Sequence, residues 1–285
     1  MAADGPGVPG MSESLPLSRP VIRRGSGSGA RVHRFGPTER RLHWVHAGSF
    51  MTMLGTGLVL YLPFLAQAFS ARPAMKALHL AAAVVWLTAL ALMPLLGDRR
   101  ALRRTRRDLE RFDADDLRWL RSRGGGRAAV PQGRFNAGQK IHAVLQAALS
   151  VLFVVSGTLL WLGERNTDLR LPGTLALHDM AMFVAGIFVA GHVYMAFLPQ
   201  HREALEASIA GTVPAEYATR HHPKWQPEAA GLAAPHPSRG PGAARLALAV
   251  VVVLLGLVAT VALVRDVFHG DDARPVVVQR APPPA

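Results

Sequence analysis

The chain has 285 residues, of which half are hydrophobic, 32 are Lys or Arg, 19 are Asp or Glu and none is Cys. The absence of Cys excludes disulfides, Cys-ligated zinc, a resident iron–sulfur cluster, covalently attached haem and a thiol nucleophile. A formal net charge of +13 is typical of nucleic-acid binding, but the positive mean hydropathy and the clustering of the charges argue against a nucleic-acid partner.

The N-terminal thirty residues are rich in Gly, Pro, Ser and Ala, which predicts a disordered extension over 1–30. After it, five stretches of about 20 residues carry no Lys, Arg, Asp or Glu, and this length crosses a hydrocarbon core of about 30 Å. No polar stripe of the kind found on soluble amphipathic helices interrupts them. They predict five transmembrane helices, near 42–62, 75–97, 141–162, 176–198 and 245–264.

The connecting segments differ in basic content. The loop 98–140 holds thirteen Lys and Arg against six acids, and seven Arg precede the first helix. The connections on the other side, 63–74 and 163–175, hold one and two. The positive-inside rule therefore places the N-terminus and the basic loop in the cytoplasm of a bacterial inner membrane protein. The basic charge is also suited to contact with anionic membrane lipid, and docking of a protein partner is a further possibility.

Two segments remain beyond the fourth helix. Residues 227–244 are rich in Pro, Gly and Ala, and they predict a linker to the fifth helix. Residues 265–285 end in a proline-rich run and predict a floppy tail. The membrane domain proper is therefore predicted over 31–226.

Histidines lie inside or beside the predicted spans, where an ionisable group is costly and needs a partner or a function. His178 and His192 are fourteen residues apart, which puts them on one helix face and ~21 Å apart along it. The predicted topology places His79 at the depth of His178, and His43 at the depth of His192. For each histidine alone, a neutral side chain hydrogen-bonded to a neighbouring helix is the alternative.

Two imidazoles facing each other at equal depth are what a six-coordinate haem b requires, since no covalent Cys attachment is needed. Zinc prefers three or four protein ligands at one site, and a proton relay needs a longer chain of acids and histidines. Glycines such as Gly57 and Gly157 could let a porphyrin approach the backbone, although membrane helices are rich in Gly for packing alone. His46 and His142 are rival ligands.

Several short motifs resemble the cytochrome b (gamma) subunit of membrane-bound respiratory formate dehydrogenases. The resemblance covers about 31–226 and rests on RLHW at 41–44, ALH at 77–79, RFNAGQK at 134–140, LH at 177–178, GHVYMAF at 191–197 and HHPKW at 221–225. It implies an all-α, integral membrane four-helix di-haem bundle, here with one additional C-terminal transmembrane helix. By motif, His79 and His178 hold one haem b, and His43 and His192 hold the other.

The resemblance also implies a complex and a substrate. The partners are an iron–sulfur (beta) subunit and a molybdenum or tungsten formate-oxidising (alpha) subunit, so this chain does not oxidise formate itself. The electrons are passed to menaquinone or ubiquinone beside the inner haem, which is the haem of His43 and His192 on the cytoplasmic side. The residues that correspond to this quinone site are Asn136, Gly138, Gln139 and His192.

Asn136 and Gln139 also fit a purely structural role, because Asn is a good helix N-cap and Gln three residues later completes a capping box. As quinone ligands, their amide groups would donate hydrogen bonds to the carbonyls, and Gly138 would permit close approach of the ring. Other functions stay open from the sequence. They are a cytochrome b subunit of a hydrogenase or thiosulfate reductase type complex, and a haem-free membrane anchor.

Overall fold

The computed structural model describes residues 30–69, 71–122, 130–225 and 240–269. Most of the predicted extension, the predicted linker and the predicted tail lie outside the described residues. Within these ranges the α-helices are α1 Pro37–Tyr61, α2 Pro63–Phe69, α3 Arg72–Leu96, α4 Arg99–Glu110, α5 Ala114–Arg121, α6 Ala137–Arg165, α7 Thr174–Phe197, α8 Arg202–Ala210, α9 Ala215–His221 and α10 Ala243–His269. Two 3₁₀ turns, Thr167–Leu169 and Pro199–His201, flank α7.

Four helices, α3, α6, α7 and α10, are each long and apolar enough to cross a membrane. Helix α1 meets the same criterion only together with α2, which turns away from it by 100° after Leu62. Pro63 begins α2, and a residue before proline disfavours helical geometry, so the chain breaks there. The predicted all-α membrane bundle is confirmed, and the ends of the long helices lie within five residues of the predicted ones.

The membrane helices pack as two pairs. Helix α1 lies along α3, and α6 lies along α7. The pairs meet mainly where Phe50 of α1 packs on the buried cluster of Leu149, Ala181 and Ala185. The pairs also meet further along, where the rings of Tyr61 of α1 and Phe183 of α7 lie 5.2 Å apart.

Helix α10 packs outside the four-helix bundle, against α3. A side chain at Gly256 would overlap Thr88, so Gly is needed for this close approach. An ion pair between Arg165 and Asp266 ties the C-terminal end of α10 to the end of α6. The additional helix is therefore an outer layer that leaves the interior of the bundle to the other four helices.

A polar head covers one end of the bundle, and it comprises α4, α5, α8, α9 and a two-stranded sheet. Strands β1 (Arg31–His33) and β2 (Thr212–Pro214) pair antiparallel, with Val32 opposite Val213. The small core of the head contains Ala207, Val213, Tyr217 and Ala218. The segment 98–140, predicted only as a basic loop, forms α4 and α5, which Asp98 and Asp113 cap with their carboxylates.

A buried ion pair joins the start of α1 to the segment that precedes α6. Arg134 Nη1 lies 3.0 Å from Glu39 Oε1, and both side chains are at least 94% buried. Thr105 of α4 contacts both groups, through Glu39 and through Arg134 Nη2 at 2.6 Å. Removal of one partner from a buried pair leaves an uncompensated charge, at a cost of about 3–5 kcal/mol. The head is thus fastened to the first turns of both α1 and α6.

Candidate functional site

Two imidazoles face each other at the end of the bundle remote from the head. His79 of α3 and His178 of α7 have ring centroids 6.4 Å apart and planes inclined at 64°. We call these two residues the distal pair. The sequence analysis grouped the same two residues because of their predicted depth.

A hydroxyl group holds each ring of the distal pair. Thr56 Oγ1 lies 2.9 Å from His79 Nδ1, and Ser156 Oγ lies 2.8 Å from His178 Nδ1. Each hydroxyl also lies within 2.8 Å of the carbonyl four residues earlier in its own helix. The assignment that satisfies every group has the hydroxyl donating to the carbonyl and accepting from Nδ1–H. Nε2 then keeps its lone pair, as a metal ligand requires.

Two glycines sit directly beside these rings. A Cβ on Gly57 would lie 3.6 Å from His79 Cε1, and a Cβ on Gly157 would lie 3.5 Å from His178 Cε1. Each glycine follows the hydroxyl residue that holds the same ring. Larger side chains would therefore intrude on the space next to the imidazoles.

A second pair lies at the head end of the bundle. His43 of α1 and His192 of α7 have ring centroids 6.4 Å apart and planes inclined at 62°. We call these residues the head-end pair. His178 and His192 are fourteen positions apart, so the two pairs are separated by ~21 Å along α7.

The head-end pair has a third ring beside it. His142 of α6 stacks face to face on His192, with centroids 4.6 Å apart and planes 7° from parallel. Among the described residues, no hydroxyl hydrogen-bonds to either ring of the head-end pair. A flat aromatic contact takes the place of the hydroxyls of the distal pair.

His46, a rival ligand in the sequence analysis, is already engaged. Its Nδ1 accepts a hydrogen bond from Trp86 Nε1 at 2.9 Å. Neutral imidazole has one donor and one acceptor nitrogen, so this bond leaves the proton on Nε2. Neutral His46 therefore has no free lone pair for a metal.

Asn136 and Gln139 form a reciprocal capping box at the start of α6. Gln139 N–H donates to Asn136 Oδ1 at 2.9 Å, and Asn136 N–H donates to Gln139 Oε1 at 3.1 Å. These contacts use the amide oxygens and leave the amide nitrogens out of the cap. The structural role considered for both residues is present, and it does not consume the groups that a quinone carbonyl would need.

Gly138 lies against a side chain of the head. A Cβ on it would lie 3.2 Å from the ring of Trp119 in α5. The close approach that glycine permits here is to that tryptophan. The fourth predicted quinone residue, His192, meets α6 through His142, which lies three residues after Gln139 on the same helix face.

A polar cavity of about 140 Å³ opens in the head next to the start of α6. Its lining includes Asp108, Asp113, Asp116, Lys140 and Lys224. Lys140 forms a buried ion pair with Asp116 at 2.7 Å, and a hydrogen bond from Lys224 holds the pKa of the Asp113 carboxyl below its usual range. Charged side chains therefore lie next to the first turn of α6.

His222 fastens the last part of the head to the segment before α6. Its Nδ1 lies 2.6 Å from the carbonyl oxygen of Gly133, so Nδ1–H donates. Burial, together with the charge of Arg34, lowers the pKa of His222 from 6.5 to about 3. The ring is therefore neutral near pH 7 and belongs to the framework of the head.

The sequence profile of the prokaryotic cytochrome b561 family matches residues 34–209, which include all four histidines of the two pairs. This chain belongs to the prokaryotic cytochrome b561 family. It is a multi-pass membrane protein of a haem b family. The match covers the bundle and most of the head, and it ends before α10.

Relatives of this cytochrome b561 family member include subunits of known complexes. This chain is 22% identical over 209 residues to the formate dehydrogenase cytochrome b556 subunit of Haemophilus influenzae. The match covers 70% of this chain and 83% of the relative. The chain is 26% identical over 206 residues to the formate dehydrogenase cytochrome b556(fdo) subunit of Escherichia coli K12, covering 69% and 92%. The resemblance to formate dehydrogenase cytochrome b subunits is therefore confirmed.

The residues of this cytochrome b561 family member fit haem b at two places. Imidazole nitrogens bind metals at about 2 Å, so two rings on opposite sides of one metal have centroids about 6.3 Å apart. Both pairs have a spacing of 6.4 Å. The distal pair also has the tautomer that leaves Nε2 free.

Sequence reasoning missed the hydroxyls of Thr56 and Ser156 and the stacking of His142. A weak signal for the hydroxyls exists, because each precedes a glycine that the sequence analysis had singled out for haem, as Thr56–Gly57 and Ser156–Gly157. No comparable signal exists for the stack, since it depends on the rotation of α6 relative to α7.

Proposed function

We propose that this chain is the di-haem b membrane subunit of a formate dehydrogenase complex. It carries electrons from an iron–sulfur subunit across the membrane to a quinone on the cytoplasmic side. The formate-oxidising subunit contains molybdenum or tungsten and is a separate chain. The basic residues directly before α1 and those of α4 belong to the head. Because the positive-inside rule assigns such basic segments to the cytoplasm, the head faces the cytoplasm of a bacterial inner membrane.

The observation that carries this proposal is the presence of two histidine pairs with the same ring spacing at two depths. His79 and His178 would hold one haem, and His43 and His192 would hold the other. When bound, haem b supplies one-electron chemistry through its ferric and ferrous states. A single pair would support a cytochrome, whereas two pairs ~21 Å apart along α7 support transfer between the two sides of a membrane.

The side chains around the distal pair have defined tasks in this proposal. Thr56 and Ser156 accept hydrogen bonds from Nδ1–H, which orients each ring and raises the basicity of Nε2. Gly57 and Gly157 keep the space beside the rings free for a porphyrin edge.

The quinone site would lie at the start of α6, with Asn136, Gly138, Gln139 and His192 around it. The amide nitrogens of Asn136 and Gln139 would donate to a quinone carbonyl while their oxygens keep the helix capped. Reduction of a quinone also takes up protons, and the titratable groups that line the polar cavity beside Lys140 and Asp116 would be near this site. The substrate is menaquinone or ubiquinone.

Electron transfer towards the cytoplasm works against the membrane potential by roughly 2.3 kcal/mol per 100 mV for each charge. The protons taken up on the same side balance the charge of these electrons on the quinone. The proposed reaction therefore conserves energy as the charge separation that electron transfer creates.

The first test is a reduced-minus-oxidised spectrum of the purified protein, with haem quantified per chain. We expect two b-type haems, with formate-dependent quinone reduction when the partner subunits are present. One haem would mean that one pair is assigned wrongly. No haem in a folded preparation from haem-sufficient cells would overturn the proposal. If the protein contains two haems but has no formate-oxidising partner, it is a di-haem cytochrome and its proposed place in this complex is refuted.

A further inference from the structure

We infer that His142 is a positioning residue, which fixes the ring of His192 for the head-end haem and does not itself bind iron. This inference rests on the proposed function and concerns a residue outside the four proposed ligands. The geometry of three imidazoles at the head end carries it.

The stack excludes His142 and His192 as opposite ligands of one iron. An axial imidazole binds through a ring nitrogen lone pair, which lies in the plane of the ring, so the metal must lie in that plane. The planes of His142 and His192 are 7° from parallel and the rings are stacked at 4.6 Å, so no point midway between them lies in both planes. His43 and His192 have inclined planes and a spacing of 6.4 Å, which permits a shared metal.

His192 needs an external constraint. The rings of the distal pair each have a hydroxyl on Nδ1, but no hydroxyl of the described residues bonds to His43 or His192. His192 also lies only five residues before the end of α7, and its side chain is not enclosed by other residues of the protein. Free rotation of its ring would cost entropy when a metal binds, and a flat contact with His142 reduces that rotation.

His142 is in a position to provide this constraint because the start of α6 is held on several sides. The capping box of Asn136 and Gln139 closes its first turn. Two residues before His142, Lys140 forms an ion pair with Asp116 in which both side chains are more than 90% buried. The ring of His142 therefore projects towards α7 from a part of α6 that these contacts hold in place.

The flat ring of His142, and not its nitrogens, is what this role requires. His142→Phe keeps a stacking surface and removes both nitrogens, whereas His142→Leu keeps an apolar side chain and removes the ring. We expect His142→Phe to retain the head-end haem with an unchanged low-spin electron paramagnetic resonance signal. We expect His142→Leu to weaken haem binding at the head end by about tenfold, the usual effect of losing a group that supports a ligand. Its midpoint potential and signal should also shift.

The distal haem serves as an internal control for folding in every variant. Val144→Ala, at an exposed position two residues further along α6, controls for general disturbance of the helix. His142→Met is the second variant if His142→Leu does not fold. We expect Val144→Ala to resemble the parent protein and His142→Met to resemble His142→Leu.

Two results would overturn the inference. If His142→Phe loses the head-end haem as completely as His192→Ala, then His142 is itself a ligand. If His142→Leu and His142→Met both match the parent protein in haem content, potential and signal, then the stack has no role. Either result leaves two haems in the parent protein, whereas failure of the proposed function would show as fewer than two haems there.

Discussion

The distal pair and the head-end pair have the same ring spacing but are held in different ways. At the distal pair, Thr56 and Ser156 fix both imidazoles through hydrogen bonds within the apolar part of the bundle. At the head-end pair, His192 is held by stacking on His142. Hydrogen bonds hold the rings of the distal pair, whereas a flat contact with another ring holds His192 of the head-end pair.

This difference follows from the surroundings of each pair. Hydrogen bonds are stronger in a low-dielectric interior, so two hydroxyls are enough to orient the distal rings. The head-end pair lies at the end of the bundle that the charged head covers, where water competes for hydrogen bonds. A stacking contact uses no hydrogen-bond donor or acceptor, so water does not compete for it in this way.

The largest expected effect is the loss of one haem on removal of a ligand. His79→Ala should remove the distal haem and spare the head-end haem, and His43→Ala should do the reverse. Each variant should contain about one haem per chain, measured by spectra and by haem extraction, since one of the two imidazoles proposed to hold that haem would be missing. His201→Ala, outside the four ligands, should keep both. Loss of both haems from each variant would contradict independent sites.

A smaller effect is expected from the hydroxyls. Thr56→Val preserves the shape of the side chain and removes the hydrogen bond to His79, so it should weaken distal haem binding by about tenfold. The head-end haem should not change. Thr52→Val is the matched control, because within the described ranges the hydroxyl of Thr52 bonds to the carbonyl of Gly48 in its own helix and to no histidine. Equal effects of the two variants would contradict a specific role for Thr56.

The fold could be predicted far into its detail because each long helix has a simple sequence signal. Charge-free stretches gave the spans, and helical periodicity placed His178 and His192 on one face of α7. The end of the first helix was predicted to within one residue, but the short helix α2 was missed because 63–74 was taken as a connection. The helices α4 and α5 were missed because a basic segment was taken as a loop and its caps at Asp98 and Asp113 were not used.

The candidate site was predictable only where one helix decides the geometry. The spacing along α7 set the depths of its two histidines, so the partners of each could be inferred. The contacts of Thr56 and Ser156 depend on the rotation of two helices about their own axes, which no spacing within one helix reveals. The engagement of His46 by Trp86 likewise joins two helices. The ligand and quinone assignments stay predictions until haem and substrate binding are measured.

Acidification should destabilise the head before it affects the distal haem. His222 has a pKa of about 3 in the folded head and about 6.5 when unfolded, so below pH 6.5 the unfolded state takes up the proton. The free energy of unfolding should fall by about 1.4 kcal/mol per pH unit in that range. We expect proteolysis of the head to increase before the distal haem is lost. His222→Asn keeps a donor for Gly133 without titrating, and it should flatten this pH dependence relative to the parent protein.

The smallest effect is expected at the start of α6, where capping and quinone binding use different atoms of the same side chains. Asn136→Asp and Gln139→Glu keep the acceptor oxygens that close the capping box, but they remove the amide donors. The double variant should therefore retain its thermal stability and both haems. Its KM for quinone should rise roughly fivefold, which corresponds to about 1 kcal/mol for a lost hydrogen bond. Asn136→Ala, which breaks the cap, should lower stability by about 1 kcal/mol in addition. An unchanged KM in the double variant would assign both residues to the helix cap alone and move the quinone away from the first turn of α6.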